Sequence, residues 1–219
     1  MDGGSDTPLT VDDRVLPVSE TVTAVYDRIL AEILSGERPA GSMIRDVDIA
    51  QTLGVSRTPV REAILLLRST GVLEVVASRY TRVAVIDEAS MLDLFRVWVT
   101  LFRLVVDELV ASDIEVDLAR LEAEDAAARR CGGDPHAFVI ASGRFFDLVV
   151  SRSRNPHLVR AVHSVVHAIR LGLVSTPSAV ELDAVLRVQA QLLDAVRARD
   201  VALGRASVEA LTEMGEATT

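Results

Sequence analysis

The stretch Leu53–Thr70, LGVSRTPVREAILLLRST, predicts a tight turn followed by a helix. Gly54 interrupts the preceding apolar segment, and Ser56 is a favourable residue for an N-terminal helix cap. Pro59 would lie in the first helical turn, where its missing backbone N–H leaves no hydrogen bond unmade. The helix is therefore expected to begin at about Arg57.

This helix should have one apolar face and one polar face. Apolar side chains recur at the spacing that lines one face, namely Val60, Ile64 and Leu67. Polar side chains crowd its opening turns on the flanking arc, namely Arg57, Thr58 and Arg61. A helix that enters the major groove of DNA is built in this way, because its first residues reach bases and phosphates while the other face is anchored in a core.

The overall charge limits what kind of DNA contact is possible. The chain has 219 residues, 49% of them hydrophobic, which favours a small domain plus a medium one. Its net charge of −9 argues against a protein that coats nucleic acid indiscriminately. Between Arg45 and Ile86, however, six arginines are present against four acidic residues, which gives a local net charge of +2. Any DNA contact is therefore expected to come from this segment.

Cysteine usage and hydropathy favour a cytoplasmic protein. Cys131 is the single cysteine, so an internal disulfide is impossible and a reducing compartment is the simple interpretation. No apolar run approaches the roughly 20 residues that span a bilayer. The first residues, MDGGSDTP, have neither the basic start nor the apolar core of a signal peptide. We therefore expect no membrane segment.

The N-terminal third of the chain predicts a winged helix-turn-helix. Residues 1–17 are polar and without periodicity, which predicts a flexible tail. A DNA-binding domain over 18–86 should contain three helices, at about 19–34, 46–53 and from residue 57, followed by a two-stranded β-wing formed by VLEVV and TRVAVI. The turn between these strands places Arg79 at the tip, within reach of a minor groove or a phosphate.

Residues 87–219 predict helices only, so the fold class is mainly α. The segment MLDLFRVWVTLFRLVVDELVA is apolar nearly all round and predicts a central, buried helix. Further helices are predicted at about 114–131, 135–153, 156–174, 178–198 and 201–215. Together they predict a C-terminal antiparallel bundle of six helices.

Residues 22–86 resemble the winged helix-turn-helix of the GntR family of bacterial transcription regulators. The segment GERPAGSMIRDVDIAQTLGVSRTPVREAILLLRSTGVLEV follows the family pattern, and SRTPVREA is its most specific part. The helical remainder is similar to the effector-binding FCD-type domain of the FadR-like subfamily, through FFDLVVSRSRNPHL and LLDAVRARD. The resemblance implies a homodimer that binds double-stranded DNA at a palindromic operator, more often as a repressor than as an activator.

The resemblance also assigns the DNA contacts. Positions that hold phosphates and guanines in the family are occupied by Arg45, Arg57, Thr58 and Arg61. An arginine bidentate to guanine is the commonest specific contact. Ser56 is expected to cap the third helix and touch a phosphate. Where the family has a glycine at the wing tip, this chain has Tyr80 after Arg79, and the tyrosine could stack or bind a phosphate instead.

The helical domain departs from the family at its metal site. Many relatives bind a divalent metal through an Asp and a His four residues apart, plus two later His residues. The aligned positions here hold Ser142, Phe146, Gln189 and, less securely, Leu211. Phe and Leu cannot bind a metal, and isolated Ser and Gln are poor ligands. We therefore expect no metal and no cofactor.

The same departures predict an apolar cavity. An Arg and a Glu on the first helix of that domain in relatives align here with Trp98 and Phe102. Two interpretations remain open. A pocket formed by Trp98, Phe102, Ser142, Phe146 and Gln189 binds an apolar or aromatic effector, or the aromatic side chains fill the space and the protein is a constitutive DNA-binding dimer.

Two histidines raise the question of a second metal site. His163 and His167 are four residues apart, a spacing that suits two ligands on one helix face. Neither aligns with a metal position of the family, and no acidic residue lies within that helix, so solvated or core-edge histidines are expected. No Ser, His and Asp arrangement with a recognisable nucleophile motif is present, so we expect no enzyme activity.

Overall fold

The structure, a computed structural model, describes residues 19–77, 79–112, 114–131, 133–176 and 182–216. The predicted tail, residues 1–17, lies outside these ranges. In chain order the elements are α1 (Glu20–Leu34), β1 (Met43–Ile44), α2 (Asp46–Leu53), α3 (Arg57–Ser69), β2 (Leu73–Val76), β3 (Tyr80–Val83), α4 (Glu88–Ala111), α5 (Leu118–Arg129), α6 (Pro135–Val150), α7 (Pro156–Ser175), α8 (Leu182–Ala198) and α9 (Val201–Glu216).

The predicted turn between α2 and α3 is confirmed. Gly54 ends α2 in the left-handed region, with a φ of 67°, which a glycine adopts without steric cost. Ser56 is the N-terminal cap residue of α3, and Pro59 lies in the first turn of that helix. The side chain of Ser56 makes no cap hydrogen bond, however, so the expected capping interaction is absent. The left-handed conformation of Gly54 therefore ends α2 and turns the chain toward the start of α3.

The wing is confirmed, but its sheet has three strands instead of two. The strands β2 and β3 pair antiparallel, with Leu73 opposite Val83 and Val76 opposite Tyr80. The third strand is β1, which pairs with the other edge of β3. Sequence periodicity missed β1 because a two-residue strand is too short to show an alternating pattern. Tyr80 is therefore the first residue of β3 and not part of the turn.

In the C-terminal part, the described residues form six helices, α4–α9, as predicted, with corrected boundaries. Helix α5 begins at Leu118 and not at residue 114, because the carboxylate of Asp117 accepts a hydrogen bond from the backbone of Arg120 and caps the helix there. Helices α6 and α7 begin with proline behind an Asp or Asn cap, as expected. The predicted start of α8 near residue 178 lies outside the described residues.

Two hydrophobic cores share one helix. The winged domain has its own core, to which the helical domain contributes Val139, Leu171 and Val174. The other core fills the bundle and includes Val166 and Ile169 of α7. Within the described ranges, α7 is also the one helix long and apolar enough to cross a bilayer, but 56% of that apolar window is buried, as is typical of a core helix. Helix α7 thus connects the two cores.

Candidate nucleic-acid interface and ligand cavity

The first turns of α3 carry two arginines held by a single carboxylate. The guanidinium of Arg57 donates from Nη2 to Oδ2 of Asp46 over 2.9 Å, and Nε of Arg61 donates to the same oxygen over 2.7 Å. Both arginine side chains are more than half exposed, whereas that of Asp46 is 21% exposed. Hydrogen bonds from Arg61 and then Arg57 hold the pKa of the Asp46 carboxyl below its usual range. Asp46 therefore stays ionised and orients both arginines.

An open groove collects most of the predicted DNA-binding residues. It lies between the start of α2, the helix α3 and the wing, and its lining includes Arg45, Asp46, Arg61, Arg79 and Tyr80. We call this surface the DNA groove. The structure thus brings together side chains that are up to 35 positions apart in the sequence. Ser56 and Thr58 lie elsewhere, in a shallow hollow between the first turn of α3 and the start of α1.

The wing side of the groove is exposed and ordered by hydrogen bonds. The backbone N–H of Arg79 donates to the carbonyl of Val76 over 2.9 Å and closes the turn. Ala77 has a φ of 47°, a conformation that usually favours glycine. Tyr80 is 39% exposed at the start of β3. Its ring therefore stands on the rim of the groove.

The helical domain contains a cavity whose walls are mostly aromatic and aliphatic. It has a volume of about 80 Å³, and its lining includes Phe95, Trp98, Phe138, Ser142 and Phe146. We call it the aromatic cavity. The rings of Trp98 and Phe146 meet edge to face, with centroids 5.2 Å apart. Of the five predicted pocket residues, Trp98, Ser142 and Phe146 line the cavity.

The other two predicted pocket residues do not line the cavity. Phe102 is fully buried and stacks on Trp98, with a centroid distance of 4.8 Å. Gln189 is fully buried and donates from Nε2 to the hydroxyl of Ser142 over 3.0 Å. Leu211 does line the cavity. Three of the four positions that the resemblance assigned to metal ligands in relatives, Ser142, Phe146 and Leu211, therefore line one cavity, and the fourth, Gln189, is hydrogen-bonded to Ser142.

Sequence analysis did not identify the charged residue in this wall. Arg170 lies on α7, is 3% exposed and lines the aromatic cavity. Its Nη2 donates to Oδ1 of Asp147 over 2.7 Å and to the carbonyl of Gly143 over 3.1 Å. A Cβ at residue 143 would lie 2.7 Å from Nε of Arg170, so only glycine leaves room for the guanidinium. Two features of the sequence could have indicated this contact. They are Arg170 in the apolar second half of α7 and Gly143 inside α6.

The residues that line the aromatic cavity are poor donors for a metal ion. Within the described residues, no group of three or more His, Cys, Asp or Glu side chains is placed to hold a metal ion. Ser142, Phe146 and Leu211 offer the cavity a hydroxyl and two hydrocarbon groups. This donor set does not suit a divalent metal.

The two domains meet through a buried histidine. The ring of His167 on α7 packs against Tyr26 of α1 in an edge-to-face contact, with centroids 6.2 Å apart. Burial raises the pKa of Tyr26 to about 12, although a side-chain hydrogen bond with Thr70 acts in the opposite direction. Burial, then the charge of Arg170 and that of His163, hold the pKa of His167 well below its ordinary value. His167 is therefore a neutral core residue and not a solvated one.

A second contact joins the same domains. Nδ1 of His136, at the start of α6, lies 2.8 Å from the carbonyl oxygen of Leu34, the last residue of α1. Its ring also lies against the backbone of Gly36, where a Cβ would meet Cε1 at 3.0 Å. Histidine rings of the helical domain thus contact α1 at two places, at Tyr26 and at its last residue, Leu34.

Comparison with known proteins places both domains in families. Residues 21–83 match the bacterial regulatory proteins of the gntR family, and residues 93–213 match the FCD domain. Over 178 residues the chain is 30% identical to a Paenarthrobacter nicotinovorans protein named "Probable D-xylose utilization operon transcriptional repressor", covering 80% of this chain and 78% of that protein.

Solved structures share the fold. The Escherichia coli protein McbR/YncC superposes with a TM-score of 0.73 at 21% identity, over 90% of this chain and 94% of that one. A GntR regulator from Rhodococcus sp. RHA1 gives a TM-score of 0.68 at 19% identity, over 91% and 96% of the two chains.

Fold and site together define a transcription regulator with a winged DNA-binding head and a helical effector-binding domain. The chain belongs to the GntR family of bacterial transcription regulators and is of the FadR-like type that carries an FCD domain. Members of this family bind DNA and small-molecule effectors, and they are regulators and not enzymes.

The buried state of His167 generates a test of the domain interface. In the unfolded chain this histidine binds a proton below about pH 6.5, whereas burial in the folded protein opposes protonation. The free energy of unfolding should therefore fall as the pH is lowered from 7.5 to 5.0, and it should fall less in His167→Phe, which cannot be protonated. Denaturation at both pH values measures the difference. His157→Phe, at an exposed position of the same helix, should keep the wild-type dependence, and equal slopes for wild type and His167→Phe would contradict the assignment.

Proposed function

We propose that the protein is a cytoplasmic, homodimeric transcriptional repressor that reads a palindromic operator and senses a small apolar or aromatic molecule without a metal. The observation that carries the proposal is the DNA groove, where Arg45, Arg61, Arg79 and Tyr80 converge beside the start of α3. Two such grooves related by a two-fold axis match a palindrome. The name of the P. nicotinovorans relative, an operon repressor, supports the sign of regulation.

DNA binding at this groove requires an exchange of partners. In the free protein, Arg57 and Arg61 form ion pairs with Asp46. A phosphate or guanine must compete with this carboxylate, and an arginine placed in the major groove binds guanine through two parallel hydrogen bonds. Asp46 therefore positions the arginines before binding and opposes loose attachment to phosphates. Tyr80 and Arg79 would contact the backbone beside the minor groove.

Dimerisation is assigned to the outer face of α4. Along this helix, Leu94, Val97, Leu101 and Leu104 recur at spacings of three and four residues, the pattern of a helix that packs against another helix. Val97 and Leu104 are 49% and 53% exposed in the single chain, and Leu94 and Leu101 are half-buried. A second copy related by a two-fold axis would cover the same stripe with its own. Such pairing would hold the two winged domains at a fixed spacing.

Coupling between effector and DNA would pass through α7. This helix lines the aromatic cavity with Arg170 and contacts α1 of the winged domain through His167. Tyr26, the partner of His167, lies on α1, and α1 packs against α3. A ligand shifts the orientation of the winged domains only by as much as it prefers one arrangement over the other.

A second candidate function keeps the fold and omits the sensor. The aromatic cavity is small, about 80 Å³, compared with the roughly 300–1,000 Å³ typical of ligand pockets. Trp98 also stacks on both Phe95 and Phe102. These observations favour a constitutive DNA-binding dimer in which the helical domain is a scaffold. Only a sensor would release operator DNA when its ligand is added, so this measurement distinguishes the two functions.

The DNA groove generates the first test of this proposal. Footprinting on the upstream region of its own gene would locate an operator. On that operator, Arg57→Ala or Arg61→Ala should cost about 1–3 kcal/mol of binding free energy in a gel-shift titration, because a base contact is lost. Arg68→Ala removes the same charge from the last turn of α3 and should cost less. Unaltered affinity in both Arg57→Ala and Arg61→Ala would refute the assignment.

Dimerisation can be tested at the α4 stripe. Size-exclusion chromatography with light scattering should give a dimer at micromolar concentration for the wild type and a monomer for Leu104→Arg, because a charge would be buried at the interface. Leu65→Arg is the matched control, since Leu65 is 57% exposed on the winged domain. It should remain dimeric. A monomeric wild type would remove the two-fold argument.

The proposal that the helical domain binds no metal can be tested directly. Because the aligned positions hold Ser142, Phe146, Gln189 and Leu211, elemental analysis of protein purified without chelators should find no stoichiometric zinc, nickel or manganese. Added EDTA should leave the melting temperature unchanged. One full equivalent of metal per chain would overturn the proposal.

A further inference from the structure

The last turn of α1 receives one of its hydrogen bonds from the helical domain. The last four carbonyl groups of a helix have no partner inside that helix. In α1, three of these carbonyls accept from the N–H groups of residues 35, 36 and 38, namely those of Ala31, Glu32 and Ile33. The fourth carbonyl, that of Leu34, lies 2.8 Å from Nδ1 of His136. The helical domain therefore supplies the donor that completes this end of α1.

The carbonyl of Leu34 needs this donor because the residue is removed from water. Leu34 is fully buried. A carbonyl oxygen only accepts hydrogen bonds, so the proton of the imidazole must be on Nδ1. A buried backbone carbonyl without a donor has lost its hydration and gained no partner. The hydrogen bond from His136 therefore opposes any tilt of α1 that lengthens this distance.

The ring of His136 is held firmly on both sides. The carboxylate of Asp134 caps α6 and accepts from the backbone of His136 over 3.0 Å and from that of Ala137 over 3.2 Å. On the other side the ring lies against Gly36, where a Cβ would lie 3.0 Å from Cε1. Gly36 also has a φ of 82°, so its conformation and the space beside it both favour glycine. The ring is thus fixed between a capped helix start and the loop that follows α1.

A contact from α7 makes the attachment of α1 directional. His167 packs against Tyr26, which precedes Leu34 by eight residues. This separation is about 12 Å along a helix that rises 1.5 Å per residue. Two contacts at separate points along a helix determine its direction, whereas a single contact would let it pivot. Because α1 packs against α3 in the core of the winged domain, the direction of α3 follows that of α1.

We propose that His136 is a positioning residue for operator recognition, which fixes the direction of the winged domain on the helical domain. The inference rests on the proposed function, in which a dimer reads a palindrome. With the helical domains paired, the direction of each α1 determines the separation and the relative rotation of the two α3 helices. One added base pair moves a half-site by about 3.4 Å and turns it by about 34°. The hydrogen bond from His136 therefore restricts the half-site spacing that the dimer accepts.

A second histidine provides a matched control. His157 follows the proline at the start of α7, behind an asparagine cap, as His136 follows the proline at the start of α6, behind an aspartate cap. The two backbone N–H groups donate to their caps over similar distances, 3.1 Å for His157 and 3.0 Å for His136. His157 is exposed. The same substitution at both positions therefore separates the contact with α1 from effects on a helix start.

The inference is tested by gel-shift titration of the full-length protein on three kinds of DNA. These are the footprinted operator, the same operator with one base pair added or removed between its half-sites, and a duplex with a single half-site. The wild type should bind the natural spacing about 10-fold or more tightly than either altered spacing, because simultaneous binding of both half-sites depends on geometry. His136→Leu should reduce this ratio several-fold and leave the affinity for the single half-site unchanged. His157→Leu should keep the wild-type ratio.

Two further variants and one spectrum keep the test decisive. His136→Asn places an amide N–H near the position of Nδ1 and should restore the wild-type ratio. His136→Ala removes the ring without adding bulk, and it replaces His136→Leu if circular dichroism shows that the leucine variant is unfolded. In the wild type, nitrogen-15 NMR of the histidine rings should show the proton of His136 on Nδ1. A neutral ring with its proton on Nε2 would overturn the hydrogen bond and the inference with it.

Each result of the titrations supports or overturns the inference. A wild-type spacing ratio in the folded leucine or alanine variant would overturn it, as would a ratio that His136→Asn fails to restore. An equal loss of affinity for operator and single half-site would assign His136 to the folding of the winged domain and would also overturn it. A wild type that binds natural and altered spacings equally would instead overturn the palindrome reading of the proposed function, together with this inference.

Discussion

The packing of α7 against both domains is the constraint on which the rest of the structure depends. Its side chains enter two hydrophobic cores, with Val166 and Ile169 in the bundle and Leu171 in the core of the winged domain. Close-packed interiors transmit displacements because they have few voids to absorb them. A change at one face of α7 must therefore be accommodated at the other. His167, neutral and buried against α1, forms part of this contact because burial opposes its protonation.

The charge at the start of α3 differs in sign from that of the chain as a whole. The chain as a whole is acidic, with a net charge of −9, and repels a polyanion at long range. At the start of α3, two arginines share the carboxylate of Asp46. Such exposed ion pairs contribute little to stability. In the proposed DNA contact their role would be orientation, since the guanidinium groups would already be in place for a matching base edge, and a phosphate alone would have to displace Asp46.

In the helical domain, the side chains around the cavity differ from the metal-binding side chains that the resemblance assigns to many relatives. Of the positions that the resemblance assigns to metal ligands in many relatives, three line the cavity here as a serine and two hydrocarbon side chains, and the fourth is a glutamine hydrogen-bonded to that serine. A metal would supply a concentrated charge at that point. In this chain the charge comes from Arg170, which reaches the cavity because Gly143 leaves space beside its guanidinium. Burying that group with an unmet donor carries a free-energy cost.

The amino-acid sequence by itself determined the features that depend on interactions between residues close together in the chain. The helix starts at Arg57, Pro135 and Pro156, the turn at Gly54 and the two main strands of the wing all follow from capping, proline geometry and alternation, which act over a few residues. The family resemblance further predicted the two domain types and five pocket residues, three of which line the cavity. Only the tertiary structure decided the pairing of β1 with β3, the sharing of Asp46 by two arginines and the position of Arg170 at the cavity. These contacts join residues that are distant in sequence. A local sequence pattern cannot indicate which distant residue will complete a hydrogen bond or fill a space in the core.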